Sequence, residues 1–341
     1  MQASPVSPGP LMELSTGFWA SKTLAAAHEL GLFAMLAEAG GTTPDELAVR
    51  AGIEDRPAAM LLTACASLGL LAKTGDRYRN TVLADTYLVP GQPYYFGGWV
   101  QMLDRRLYPG WANLTEAIRT NRPTTWNPDE QESLFEGEDP ELLSVFWDAM
   151  HSLSIFTARA LGAAVDLTGR RRLLDVGGGS GAYDIELCKL YPELNATVYD
   201  LPFVVEIAGK KIADAGLSDR IGTAGGDFFG DATLPAGHDC ILLSMILHDW
   251  NEEHDRGILA RCYDALPSGG LIVISELLVN DEKTGPTPAA LMSLNMLIET
   301  EGCNYTAREY AAWLEDAGFQ EVRTTYFDAP GANGAVCAIK P

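Results

Sequence analysis

A chain of 341 residues, 47% hydrophobic, is long enough for two domains with well-formed cores. Its formal charge of −22 repels nucleic-acid phosphates and anionic lipid, which disfavours DNA, RNA and membrane-surface partners. No apolar run reaches the roughly 18 residues of a membrane-spanning helix. Met1 to Leu14 lacks the basic region and apolar core of a secretory signal. The six cysteines (Cys65, Cys188, Cys240, Cys262, Cys303, Cys337) show no CxxC spacing, so free thiols in a reducing cytoplasm are expected.

Residues 1–95 read as mostly helical. Phe18 to Leu36 is apolar at helical spacing and ends near Gly40-Gly41. Thr42-Thr43-Pro44 with Asp45 and Glu46 predicts the next helix start, through a threonine cap, an early proline and acids near the positive end of the dipole. A further helix is expected around Arg56 to Leu68, and a short β-wing over Leu70 to Val82. Together these make a winged-helix unit. Residues 1–90 carry six basic against nine acidic side chains, so a structural or dimerising role is expected rather than DNA contact.

Residues 96–168 read as a helical linker dense in aromatics, among them Tyr108, Trp111, Trp126, Phe146 and Trp147. Such residues make either ordinary core or a lid over a flat apolar ligand. From 169 to 341 the pattern changes to strands alternating with helices, which means a parallel, doubly wound sheet. Strands fit Leu173 to Val176, Ala196 to Asp200, Ile221 to Gly225, Asp239 to Ser244, Gly270 to Ser275, Glu321 to Phe327 and Ala335 to Ile339. Helices fit Gly181 to Tyr191, Phe203 to Ala215, Asn251 to Leu266, Pro288 to Thr300 and Thr306 to Ala317. The last two strands have no helix between them and should form an antiparallel hairpin.

Five motifs fall at the carboxyl ends of these strands, where ligands of open α/β sheets bind. The first is Asp175 followed by Gly177, Gly179 and Gly181. Bare backbone there lets a ligand lie close, and the helix start offers free N–H donors. The loop also fits the pattern of nicotinamide enzymes, so alone it does not choose between nucleotide cofactors. The second is Asp200, able to accept from both ribose hydroxyls of an adenosine, or else to act as a turn residue before Leu201-Pro202. The third, Gly226-Asp227-Phe228, could hold an adenine by hydrogen bond and ring packing, or be a loop beside core phenylalanines. The fourth is His248-Asp249-Trp250; histidine titrates near neutrality and suits general-base work. The fifth is Ser275-Glu276, where a buried carboxylate could orient and charge-stabilise His248, or be a helix cap.

In this order the motifs resemble the plant-type O-methyltransferase family, which includes caffeic-acid-like enzymes and bacterial small-molecule relatives. The blocks LLDVGGGSGAYDIEL, YDLPFVVEIA, GGDFF, LLSMILHDWNEEH, ALPSGGLIVISELLV and YTAREYAAWLEDAGF carry the likeness. It implies a Rossmann-like seven-stranded methyltransferase sheet with an antiparallel terminal hairpin, behind an amino-terminal winged-helix domain that makes a homodimer. It implies S-adenosyl-L-methionine as cofactor, S-adenosylhomocysteine as product, no metal, and a small aromatic acceptor. The glycines would approach the methionine portion. Asp200 and Leu201 would bind ribose and adenine, with Gly226, Asp227 and Phe228 on the adenine. Ser244, Asp249 and Ser154 would add cofactor contacts. His248 would be the base, oriented by Glu276. Phe146, Met150, Met292 and Met296 would pack the acceptor. One departure stands out: the family commonly has a glutamate, a second partner of the histidine, where this chain has Asn304. Asparagine can hydrogen-bond an imidazole but cannot compensate its charge, which keeps methylation at carbon open as an alternative. A nicotinamide oxidoreductase and a ligand-sensing winged-helix regulator are more distant readings.

Overall fold

The computed structural model describes residues 7–130 and 140–341, with side chains from 146 onward in the second stretch. Met1 to Val6 and residues 131–139 of the expected 96–168 linker lie outside the described residues. The chain divides into two compact units, Met1–Arg106 and Leu107–Pro341.

The first unit is mostly helical: α1 (Gly9–Glu29), α2 (Leu32–Ala39), α3 (Pro44–Ala51), α4 (Asp55–Ser67), α5 (Val82–Tyr87) and α6 (Gly97–Met102). The single helix expected over Phe18 to Leu36 is two. Gly31 sits at φ 68, a left-handed conformation that ends one helix and starts another without interrupting the apolar spacing. The start at Thr43 forms as expected. Its hydroxyl accepts the Glu46 N–H and the Glu46 carboxylate accepts the Thr43 N–H, a capping box. The wing is β1 (Leu71–Thr74) antiparallel to β2 (Arg77–Asn80), and Thr42 pairs its backbone with Tyr78 at 2.8 Å in both directions. Leu32, Phe33, Leu36, Leu47, Leu62 and Tyr78 close the core. Leu11, Met12, Leu14, Phe18 and Trp19 of α1 are exposed.

The second unit opens with α7 (Tyr108–Ala112), α8 (Leu114–Thr120) and the long α9 (Pro140–Ala164). Then follow β3 (Arg172–Val176), α10 (Ala182–Leu190), β4 (Asn195–Asp200), α11 (Pro202–Asp214), β5 (Ile221–Gly225) and β6 (Cys240–Ser244). After these come α12 (Glu252–Ala265), β7 (Leu271–Glu276), α13 (Thr287–Glu299), α14 (Ala307–Asp316), β8 (Gln320–Tyr326) and β9 (Gly334–Ile339). The seven strands run in the order β5-β4-β3-β6-β7-β9-β8. Six strands run in one direction; β9 alone opposes them, paired antiparallel to β7 and, in the expected hairpin, to β8.

Alternate residues of each buried strand feed opposite faces, as a period of two requires. Leu173, Leu242 and Val273 pack with α9, α10 and α11 through Leu161, Leu187 and Ile212. Leu174, Leu243 and Ile274 pack with α12 and α14 through Ile258, Leu259 and Trp313. The strand order reverses between β3 and β6, so the loops after these two strands diverge and leave a crevice at their carboxyl ends. Among the described residues no helix is long and apolar enough to cross a membrane.

Candidate active site

The loop after β3 is shaped by backbone that only glycine adopts easily. Gly177 and Gly179 have φ of 72 and 56. A Cβ on Gly179 would stand 3.0 Å from the Trp147 ring, and one on Gly177 would stand 2.4 Å from Ile246 Cδ1. Gly181 caps α10, whose first N–H groups are free of helical partners. Two contacts one helical turn apart set α9 over this loop: Trp147 against Gly179, and His151 Nδ1 at 2.8 Å from Ser180 Oγ. Burial lowers the His151 pKa to about 4, so that ring is neutral at pH 7. Phe146, Met150 and Ser154 lie on the same helix and are half-buried.

Asp175 is placed beneath the loop rather than open to the crevice. It is fully buried against Asp184. Burial, then the Asp184 charge, holds its carboxyl well above the usual range, and burial pushes Asp184 to about 7. Asp200, at the tip of β4, accepts the Gly179 N–H at 2.8 Å and the Leu201 N–H at 2.7 Å, one on each oxygen. Burial raises its pKa to about 6 against these two hydrogen bonds. Each oxygen keeps a lone pair for a ribose hydroxyl.

After β5, Asp227 is exposed and accepts the Phe229 N–H at 2.8 Å, so it builds its own turn. Phe228 meets Phe229 edge to face at 4.7 Å. Gly226 has no room for a side chain beside the Tyr199–Asp231 hydrogen bond of 2.7 Å. Two polar atoms near the crevice, Ser244 Oγ and Trp147 Nε1, are buried without a hydrogen-bond partner. A bare glycine cradle, an acid at the adjoining strand tip and orphaned polar atoms fit a nucleoside-containing ligand.

The loop after β6 carries the reactive candidate. Met245 takes φ 55, a conformation costing a residue with a side chain about 1–2 kcal/mol. That turn leads into a 3₁₀ turn, Leu247–Asp249. Glu276, the last residue of β7 and fully buried, accepts the Ile246 and Leu247 N–H groups at 3.0 and 3.1 Å on Oε1. Its Oε2 stands 2.7 Å from His248 Nδ1. Glu276 thus touches both the backbone of the turn and the imidazole. Asp249 Oδ1 lies 3.8 Å from Nε2.

Burial alone would weaken His248 as a base, but Glu276, Asp249 and Glu299 outweigh it and raise its pKa to about 9. Burial raises Asp249 to about 7 despite the His248 charge. Asn304 does not serve the imidazole. Its Nδ2 donates to the Leu277 carbonyl at 2.8 Å, and its Oδ1 is buried without a hydrogen-bond partner. Met296 is buried on α13, and Met292 packs on Leu277 and Val279.

Three residues of this region escape sequence reasoning: Met245, Gly302 and Glu299. Gly302 packs on the backbone of the histidine turn, where a Cβ would stand 2.2 Å from the His248 carbonyl oxygen and 2.4 Å from the Trp250 nitrogen. Gly302→Ala must therefore displace that turn. A loss of about 1–3 kcal/mol is expected from overpacking, read as a lower Tm together with reduced turnover. A parent-like Tm would show that the turn yields freely.

Comparison with known proteins places these features in context. A model of the O-methyltransferase domain matches residues 111–320, and one of the O-methyltransferase dimerisation domain matches residues 12–90. The chain is 56% identical to a 3-hydroxy-5-methyl-1-naphthoate 3-O-methyltransferase of Streptomyces sahachiroi, over 98% of this chain and 95% of that protein. It is 37% identical to the tetracenomycin polyketide synthesis 8-O-methyl transferase of Streptomyces glaucescens, over 95% and 94%. The human N-acetylserotonin methyltransferase in complex with S-adenosylmethionine superposes with a TM-score of 0.87 at 31% identity, covering 100% of this chain and 99% of that one.

Proposed function

The chain belongs to the S-adenosylmethionine-dependent O-methyltransferase family, and from that premise we propose that it methylates a hydroxyl of a small fused aromatic acceptor of the hydroxynaphthoate kind, with His248 as general base. The nicotinamide and regulator readings are set aside with the family. The observation that carries the base assignment is the buried His248–Glu276 couple at the strand tips, 2.7 Å apart.

Gly177, Gly179 and Gly181 would cradle the methionine portion of the cofactor, with Ser154 and Ser244 near it. Asp200 and Leu201 would take the ribose and adenine, and Gly226, Asp227 and Phe228 the rest of the base. When bound, S-adenosylmethionine supplies an already activated methyl group and is left as S-adenosylhomocysteine. The protein's part is to hold the acceptor oxygen in line and to take its proton. A phenol has a pKa near ~10, so only about one in a thousand is ionised at pH 7. His248 Nε2 accepts that proton, and the Glu276, Asp249 and Glu299 carboxylates hold the resulting imidazolium. With the histidine at about 9, the gap to a phenol is about one unit, or about 1.4 kcal/mol, a closely matched transfer. Phe146, Met150, Met292 and Met296 supply apolar, adaptable walls for a flat ring.

The sign of the pH dependence follows. The base must be neutral to act; burial favours that form, but the neighbouring acids, Glu276 first, outweigh it and hold the ring protonated below about pH 9. We expect kcat/KM to climb from pH 7 and level off near 9; a flat profile over that interval would contradict the assignment. Mass spectrometry and NMR of the product from a hydroxynaphthoate with ¹³C-methyl-labelled cofactor test the acceptor atom. Label on oxygen supports the proposal, and label on ring carbon favours the alternative that Asn304 left open.

The amino-terminal unit is read as a homodimerisation module on its domain match and the exposed apolar side chains of α1, and light scattering at the chain's own 36.7 kDa would refute it. The unpaired cysteines, five of them buried, suit a reducing cytoplasm.

A further inference from the structure

We propose that Thr125 and Trp126 are positioning residues for His248: with Thr124 they form a strut that caps the carboxyl end of α13 and, through Gly302, sets where the histidine turn stands. The inference rests on the reading of His248 as the base and deepens it.

An α-helix leaves its last four carbonyls without intrahelical donors, and a left-handed residue just past the end is a common remedy. Helix α13 has none: Thr300 follows Glu299 in an extended conformation, φ −132 and ψ −166. The Thr300 N–H donates to the Met296 carbonyl at 2.6 Å, which meets one carbonyl locally. Two others are met by residues 173 positions earlier in the chain. The Ile298 carbonyl accepts the Thr124 N–H at 2.9 Å and the Thr125 hydroxyl at 3.0 Å. The Glu299 carbonyl accepts the Trp126 indole N–H at 2.6 Å. The capping segment is itself seated on α7. The Thr124 hydroxyl donates to the Gly110 carbonyl at 3.0 Å, and a Cβ on Gly110 would stand 2.5 Å from Thr125 Cγ2. From the same helix the Trp111 indole N–H donates to Asn295 Oδ1 at 2.9 Å, one turn back along α13.

The capped end leads straight to the histidine turn. Thr300 Oγ1 accepts the Gly302 N–H at 3.3 Å, and Gly302 lies against the backbone of His248, Asp249 and Trp250 with no room for a side chain. Helix α13 packs on the 3₁₀ turn as well. The turn is therefore gripped at both ends. Glu276 holds its start through the Ile246 and Leu247 N–H groups, and Gly302 bears on its far end, from the His248 carbonyl to the Trp250 nitrogen. The imidazole stands between the two grips. Proton transfer to Nε2 needs the acceptor within hydrogen-bond reach, so a shift of the turn by a fraction of an ångström costs rate. The glycine loop after β3 and the tip of β4 lie outside this chain of contacts.

The test is Trp126→Phe in the full-length protein, which keeps an aromatic ring but removes the indole donor. In ¹⁵N-histidine-labelled protein the His248 ring resonances should move, while those of His28, His151 and His238, each held by a contact of its own, stay where they are. With a hydroxynaphthoate as acceptor, kcat should fall about tenfold and calorimetric affinity for S-adenosylmethionine should match the parent. Thr125→Val removes the hydroxyl and keeps the N–H, so it should act the same way by less; it carries the test if the phenylalanine variant does not fold. A merely structural strut would lower Tm and leave the His248 resonances in place. A folded variant with the parent's His248 resonances overturns the proposal. Moved resonances with the parent's turnover would uphold the strut and count against His248 as the base, so the two readings fail separately.

Discussion

His248→Ala is expected to lower turnover by about 10²–10⁴-fold while S-adenosylmethionine affinity stays near that of the parent. The magnitude comes from the acceptor, whose hydroxyl without a base must react from its rare ionised form or from a neutral oxygen. The retained affinity follows from the layout. The cradle proposed for the cofactor is built on the loop after β3 and the tip of β4, whereas His248 stands on the turn after β6. Removing the imidazole leaves Glu276 bound to the Ile246 and Leu247 N–H groups, so the turn keeps its anchor. Single-turnover measurements with saturating cofactor, alongside calorimetric binding, read the two quantities apart. Near-parent turnover would remove His248 from the role of base.

Asp200→Ala is the second large effect, and it falls on binding. Hydrogen bonds from ribose hydroxyls to a carboxylate are charge-assisted and contribute roughly 1.5–3 kcal/mol each. Losing two predicts a drop in cofactor affinity of about 10²-fold or more, with kcat at saturating cofactor much less affected. The same carboxylate holds the Gly179 N–H, so the variant also loosens the loop where Trp147 rests. Asp200→Asn keeps the shape and should recover only part of the loss. Unchanged affinity by calorimetry would exclude the ribose role.

Much of the architecture was legible because the signals are local. The central strands β3, β6 and β7 announce themselves as short apolar runs, with a glycine loop after β3 and an acid at the end of β7. The Thr43–Glu46 box and the hairpin of β8 and β9 needed only neighbours in sequence. His248 and Glu276 could be placed near each other before any coordinates because one follows β6 and the other ends β7, and adjacent parallel strands bring their carboxyl ends together. The division of the first helix at Gly31 was not legible, since one left-handed glycine leaves the apolar period intact.

What escaped the sequence depends on packing across the chain. Trp147 reaches Gly179 only because α9 lies on the loop, and Gly302 meets the His248 backbone through tertiary contact alone. The Asn304 amide faces the Leu277 carbonyl, which no spacing rule gives. Glu299 lies 51 residues from His248 and reads in sequence as one more acid at a helix end. Asp175 sits at the expected strand end, yet its pairing with Asp184 beneath the loop needed the helix that follows.

The central claim is tested most directly by a crystal structure with S-adenosylhomocysteine and a hydroxynaphthoate bound together. The account predicts the nucleoside along the glycine loop with its ribose on Asp200, and the acceptor hydroxyl within hydrogen-bond reach of His248 Nε2. An acceptor oxygen far from that nitrogen, or a crevice closed by side chains with the nucleoside bound elsewhere, would contradict it.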